Sequence, residues 1–153
     1  MMNTVFGNTL LDQYNGSIIK RDTNESLTGK KVIGLYFSAH YCKYCREFTP
    51  TLINFYNEVI KTKPDFEIIF IASDKSEDEF LNYYTNMPWL SLPYERRDVK
   101  EILVEKFSFK TIPQLIFVDD NFNIITKQGR KAVADNVGFS EIIYDHLKMQ
   151  TNK

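Results

Sequence analysis

A single α/β domain follows from three features of the sequence. Two short, nearly continuous apolar runs, "VIGLYF" at 32 to 37 and "FEIIFIA" at 66 to 72, read as strands covered on both faces. Between them Cys45, Phe48, Leu52, Phe55, Tyr56 and Val59 recur at spacings of three and four, forming one apolar stripe of a helix. No repeat, low-complexity tract or Gly/Ser/Pro linker divides the 153 residues, a length that suits one core. A strand–helix–strand unit implies a parallel pair with a right-handed crossover.

The remaining elements follow in chain order. "LLDQYNGSII" at 10 to 19 reads as a hairpin turning at Asn15-Gly16. Pro50 falls within the helical stripe and removes one backbone donor, so a kink is expected there. "SEDEFLNYYTNM" opens with Ser76 and Glu79 in capping-box spacing and continues with Phe80, Tyr83, Tyr84 and Met87. "MPWLSLPYERR" reads as a Pro-broken connection, with "MPWLSLPY" either a packed loop or an exposed apolar surface. Asp98 with Glu101 offers a cap for a helix through about Phe107. "QLIFV" at 114 to 118 and "NIITK" at 123 to 127 flank a turn at Asp119-Asp120-Asn121 and read as a second hairpin. Ser140 is the expected cap of a C-terminal helix, assigned to 139–153, carrying Ile143 and Leu147. The order strand, helix, strand, helix, helix, strand, strand, helix gives a mixed sheet with helices on both faces.

The totals narrow the function classes. Apolar content of 43% and charged content of 25% are ordinary for a globular domain. A formal net charge of −1 gives no global attraction to nucleic acid or to an anionic membrane surface. The first residues, "MMNTVFGNTL", lack the basic and long apolar regions of a secretory signal, and no apolar run reaches transmembrane length. The expected setting is therefore the reducing cytoplasm, where a disulfide is more often transient and catalytic than structural.

"AHYCKYCREFTP", residues 39 to 50, holds both cysteines. The first strand ends just before Cys42, and the helix begins at or near it. Unsatisfied backbone N–H groups and the positive end of the helix dipole favour an anion at that point. The thiolate is the nucleophilic form of cysteine, and CxxC motifs at helix starts commonly favour it. Lys43 adds a positive charge next door, so Cys42 is expected to attack. Cys45, one turn later, continues the apolar stripe and is expected to face inward as the resolving thiol.

Competing readings of the pair are weaker. A structural disulfide would close a loop too short to remove much chain entropy. His40 makes a local H-x-C-x-x-C pattern, but a closed zinc site usually takes four ligands, and only His146 remains as a further candidate. His40 is otherwise a solvated residue near the site. Two buried cysteines close by chance are the third alternative. Pro113 in "KTIPQLIFV" precedes a strand, either as a harmless strand-start proline or as a cis proline in a tight turn.

These residues resemble the thioredoxin superfamily, and within it the tryparedoxin/nucleoredoxin branch. The likeness runs through "GLYFSAHYCKYCREFTPTLINFY", "FEIIFIASDKSEDEF", "YYTNMPWLSLPY", "FSFKTIPQLIFVDDNFNIITKQGR" and "VADN", about residues 8 to 138. The resemblance implies a thioredoxin fold with a central mixed five-stranded sheet flanked by helices. The single domain, 1–153, would then carry an N-terminal hairpin extension over 1–30. It implies that Cys42 attacks and Cys45 resolves, that Pro113 is cis, that the Ile112 backbone pairs with bound substrate, and that Pro50 bends the active-site helix.

It further implies a thiol–disulfide oxidoreductase that reduces protein disulfides and needs no metal or bound cofactor beyond the Cys42–Cys45 disulfide. Electrons would come from glutathione, another dithiol or a flavin reductase. Peroxiredoxin and ribonucleotide reductase are the kinds of target such proteins serve, and a monomer is expected. Two alternatives remain: a glutaredoxin-like, glutathione-dependent reductase, and a non-enzymatic redox-sensing binding module.

The sequence departs from the family pattern around the dithiol. Tyr41 replaces the usual Trp before the first cysteine. Lys43-Tyr44 replaces Pro-Pro, and this Lys-Tyr interior also looks like plasmoredoxin. Lys75 follows Asp74 where tryparedoxins carry Glu. Tyr36 falls where many thioredoxins bury an Asp, as it does in tryparedoxin. The proton acceptor for Cys45 is thus open, with Asp74 as a candidate and a solvated helix-entry residue as its alternative reading.

Overall fold

In a computed structural model, which describes residues 2–151, fourteen elements follow one another. They are α1 (Asn3–Phe6), β1 (Thr9–Tyr14), β2 (Ser17–Asp22), α2 (Thr23–Leu27), β3 (Val32–Ser38), α3 (Lys43–Ile60), β4 (Phe66–Ala72), α4 (Glu77–Tyr84), β5 (Leu90–Ser91), α5 (Arg97–Phe107), β6 (Gln114–Asp119), β7 (Ile124–Thr126), α6 (Gly129–Ala134) and α7 (Ser140–Lys148). One sheet runs in the order β2-β1-β5-β4-β3-β6-β7. β3 and β4 pair in parallel across α3, and β6 pairs antiparallel with β3.

The sheet has seven strands where five were expected. The N-terminal hairpin accounts for the difference. Asn15 and Gly16 both take positive φ, 51° and 79°, which suits a two-residue hairpin turn. The hairpin then docks on the sheet edge through Leu11 opposite Ser91. The short strand that receives it, β5, lies inside "MPWLSLPY". That segment is core: Met87, Trp89, Leu90 and Leu92 are all buried. Gln13 Nε2 donates to the Tyr84 and Met87 carbonyls at 2.7 and 2.5 Å and ties the hairpin to it.

Strand alternation sorts the core into two layers. Val32, Tyr36, Ile68, Phe70, Leu115 and Phe117 face α3, α4, α6 and α7. Ile33, Leu35, Phe37, Ile69, Ile71, Ile116 and Val118 face α1, α2 and α5. Helices therefore cover both faces, as the apolar runs of β3 and β4 required. The small elements α1, α2, β5 and α6 were missing from the expected order because none is long enough to set up a readable period.

Helix starts differ from expectation at two places. Ser76 does cap α4, accepting from the Glu79 N–H at 3.2 Å. α5, however, begins beyond Arg96, which makes no side-chain cap, and Asp98 instead accepts from Arg96 at 3.0 Å. Ser140 is the first residue of α7, not its cap, and α7 ends at Lys148. Residues 152 and 153 of the expected C-terminal helix lie outside the described residues.

Glu67 on β4 is partly buried. Its Oε1 accepts from Tyr56 Oη and from the Ile68 N–H, both at 2.9 Å. Burial pushes its carboxyl up to about 7 despite those donors. A carboxyl whose folded pKa is raised stabilises the fold fully below the unfolded value near 4.5, and that contribution is lost as pH rises through about 7. Glu67→Gln is therefore expected to gain on the parent protein as pH goes from 5 to 8, by on the order of 2 kcal/mol. Urea midpoints at the two pH values check this; a difference that does not change with pH contradicts it.

Candidate functional site: a dithiol at a helix start

Cys42 is the N-cap of α3, with extended backbone at φ −89° and ψ 116°. Its Sγ accepts from the Cys45 N–H at 3.2 Å, one of the helix-start donors that have no partner within the helix. The same sulfur lies 3.7 Å from the Ile112 carbonyl oxygen, which can take its S–H. Cys42 is partly exposed, whereas Cys45 has no exposed surface, and both are free thiols. Burial, with the Cys42 sulfur next in weight, pushes the Cys45 thiol up to about 12. The Ser38 hydroxyl and the Ala39 backbone pull the other way. Two thiols three residues apart thus occupy opposite environments.

The strand and helix periods place this pair. β3 carries the chain to Ser38, and a turn closed by Cys42 N–H to the Ala39 carbonyl, 3.2 Å, delivers it to α3. Cys45 then heads the buried stripe of Phe48, Thr49, Leu52, Phe55, Tyr56 and Val59. α3 continues through Pro50 as a single element, although Pro50 has no N–H to give the Arg46 carbonyl. The Ile112–Pro113 peptide bond is cis, and Pro113 leads directly into β6 beside β3.

The other residues singled out in the sequence separate into a rim and a support. Tyr41 and Tyr44 are 51% and 62% exposed, large aromatic surfaces on either side of Cys42. Lys75 sits over the Tyr41 ring at 5.0 Å. Lys43 is exposed, and its Nζ lies 3.9 Å from Glu47, so part of its charge is directed along the helix surface. Asp74 is not solvated: it is 3% exposed, and its Oδ1 accepts from the His40 N–H at 2.7 Å. It anchors the loop that leads to Cys42. The Tyr94 hydroxyl in turn donates to the Asp74 carbonyl at 2.9 Å. The His40 side chain is exposed, with its ring 5.5 Å from that of Tyr83.

Three residues the sequence reading passed over are linked to Cys45: Thr49 donates to its carbonyl at 2.9 Å, Tyr83 bonds Thr49 at 2.6 Å, and Ser38 bonds Tyr83 at 2.8 Å. Their signal was present. Ser38 is two residues past Tyr36 and so shares its face of β3, and Thr49 is one turn past Cys45. Among the described residues, no three His, Cys, Asp or Glu side chains come together as a metal site. None of the helices described is long and apolar enough to cross a membrane.

Comparison with known proteins agrees with this geometry. A family model described as thioredoxin-like matches residues 29–124. Probable nucleoredoxin 1 of Arabidopsis thaliana is 43% identical over 105 residues, which is 69% of this chain and 18% of the relative. Human nucleoredoxin is 39% identical over 113 residues, 74% of this chain and 26% of the relative. The chain therefore spans about a quarter or less of the length of these two curated relatives. A solved structure of tryparedoxin II complexed with glutathionylspermidine superposes with a TM-score of 0.79 at 38% identity, covering 88% of this chain and 92% of that one. The chain belongs to the thioredoxin-like family, on the branch that holds the tryparedoxins and nucleoredoxins.

Proposed function

We propose that this protein reduces protein disulfides by thiol–disulfide exchange through Cys42 and Cys45. One observation carries the reading: a partly exposed sulfur at the start of α3, with a second, fully buried sulfur behind it. The Cys42 thiolate attacks one sulfur of the target disulfide, and the other target sulfur leaves with the electron pair and takes up a proton. Cys45, having lost its proton, then attacks the Cys42 sulfur. This forms the Cys42–Cys45 bond and releases the second target sulfur as a thiol. Two electrons pass to the target, and the protein is left as a disulfide.

Ile112 supports this reading through its carbonyl, which faces the attacking sulfur and can pair with the backbone of a bound substrate. Tyr41, Lys43 and Tyr44 form the contact rim, and the cis bond to buried Pro113 presents the Ile112 carbonyl to Cys42. Asp74, considered as the proton acceptor, is assigned instead to positioning the loop through His40. Glutathione, a second dithiol or a flavin reductase would restore the dithiol. The relative solved with glutathionylspermidine favours a glutathionyl donor. Peroxiredoxin and ribonucleotide reductase are the proposed targets, and the cytoplasm the proposed setting.

Cys45→Ser is expected to accumulate a stable mixed disulfide with a protein disulfide substrate, visible as a band that a reductant dissolves. A glutaredoxin-like enzyme would instead keep turning over glutathione mixed disulfides in that variant. A binding module would form no adduct in either background, and that result contradicts the proposal.

A further inference from the structure

Cys45 must give up its proton, and among the described residues no carboxylate is hydrogen-bonded to it. The titratable groups around Cys45 are Cys42 at the start of its own helix, Tyr41 in the preceding loop, Tyr36 on β3 and Tyr83 on α4. What the pocket holds instead is a chain of hydroxyls. Ser38 Oγ lies 2.8 Å from Tyr83 Oη, Tyr83 Oη lies 2.6 Å from Thr49 Oγ1, and Tyr36 Oη lies 2.7 Å from Thr49 Oγ1. In each pair either oxygen can be the donor. Thr49 Oγ1 is also 2.9 Å from the Cys45 carbonyl, and Tyr36 Oη is 3.4 Å from it. All four side chains are buried, and the hydroxyl at the near end of the chain, Ser38, favours the ionised form of the Cys45 thiol.

We propose that Ser38, oriented by Tyr83, Thr49 and Tyr36, is the group that stabilises the Cys45 sulfur as an anion in the resolving step. A hydroxyl both donates and accepts, so the chain has two directions. Against the thiol, Ser38 accepts S–H, Ser38 donates to Tyr83, Tyr83 to Thr49, and Thr49 to the Cys45 carbonyl. Against the thiolate, the order reverses: Tyr36 donates to Thr49, Thr49 to Tyr83, Tyr83 to Ser38, and Ser38 to sulfur. Along the chain the reversal needs only rotation of hydroxyl hydrogens. Burial raises both the Tyr36 and the Tyr83 phenol, so both serve as neutral donors and not as proton sinks. The proton that Cys45 loses ends on the departing target sulfur, which receives the electron pair of the broken Cys42–target bond.

The inference rests on the dithiol reading above, and one experiment separates the two. Dithiobis(nitrobenzoate) reacts with the reduced protein in two steps. Cys42 releases one coloured thiolate, and attack by Cys45 releases the second. Stopped-flow absorbance resolves both. A hydrogen bond to a charged group changes an equilibrium by about tenfold or more. Ser38→Ala and Tyr83→Phe each delete one buried oxygen. Both are expected to leave the first release within about twofold and to slow the second about tenfold near neutral pH. The rise of the second rate with pH should move up by about one unit, and Thr49→Ser, which keeps the hydroxyl, should behave as the parent protein. An unchanged second rate and pH profile in both variants overturns the proposal, as does equal slowing of both releases. If the parent protein releases no second thiolate, the dithiol reading itself fails.

Discussion

Cys42→Ser is expected to reduce insulin-disulfide turnover by at least about a thousandfold, to the uncatalysed background. A serine hydroxyl at the same N-cap receives the same helix-start N–H but is not ionised at neutral pH and is a poor nucleophile toward sulfur. The fold should be untouched, because the side chain is partly exposed and Ser is itself a favoured N-cap residue. Denaturant midpoints within about 0.5 kcal/mol of the parent would confirm that the loss is chemical. Retention of more than a small fraction of the activity would mean that another group starts the exchange. Cys45 could not take over in place, since it has no exposed surface and its thiol is held up near 12.

That asymmetry was largely legible in the sequence. The three-and-four spacing from Cys45 to Val59 assigns Cys45 to the buried stripe, and the end of "VIGLYF" puts Cys42 at a helix start. Both are local periodicities, and local periodicity is what a sequence displays directly. The seven-strand sheet was less legible. Whether a hairpin stands apart or joins an edge depends on β5, two residues long and framed by prolines. The Asp98 cap failed because the Arg96 guanidinium takes the carboxylate, at 3.0 and 3.1 Å. Asp74 shows a third limit. Nothing in "IASDKSEDEF" says that its carboxylate reaches back to the His40 N–H, because that contact spans the gap between the ends of two parallel strands. The hydroxyl chain draws on β3, α3 and α4 and exists only once the three are packed together.

Trp89→Ala is the stability change expected to have the largest effect. Trp89 is the single tryptophan and has no exposed surface. Its ring meets Tyr36 edge-on at 5.9 Å and Tyr56 edge-on at 5.6 Å, and its carbonyl accepts from Tyr84 Oη at 2.7 Å. Tyr84 Oη also lies 3.2 Å from the Leu11 carbonyl, so the same cluster joins the hairpin to the sheet. Truncating a buried aromatic side chain leaves a cavity as well as lost transfer energy, and the expected cost is about 3–5 kcal/mol. Circular dichroism in urea measures it, since the variant has no tryptophan fluorescence. A cost below about 1 kcal/mol would mean that this segment is not core. Tyr36 loses a neighbour in the variant, so a slower resolving step at unchanged Cys42 reactivity is expected alongside the stability loss.

The central claim is that the two sulfurs are unequal: Cys42 open and poised to attack, Cys45 closed and held as a thiol. Timed alkylation of the native, reduced protein with iodoacetamide at neutral pH, read peptide by peptide by mass spectrometry, tests it most directly. The account predicts modification of Cys42 at early times, with Cys45 labelled only after unfolding. Equal labelling of the two cysteines, or labelling of Cys45 first, would contradict it.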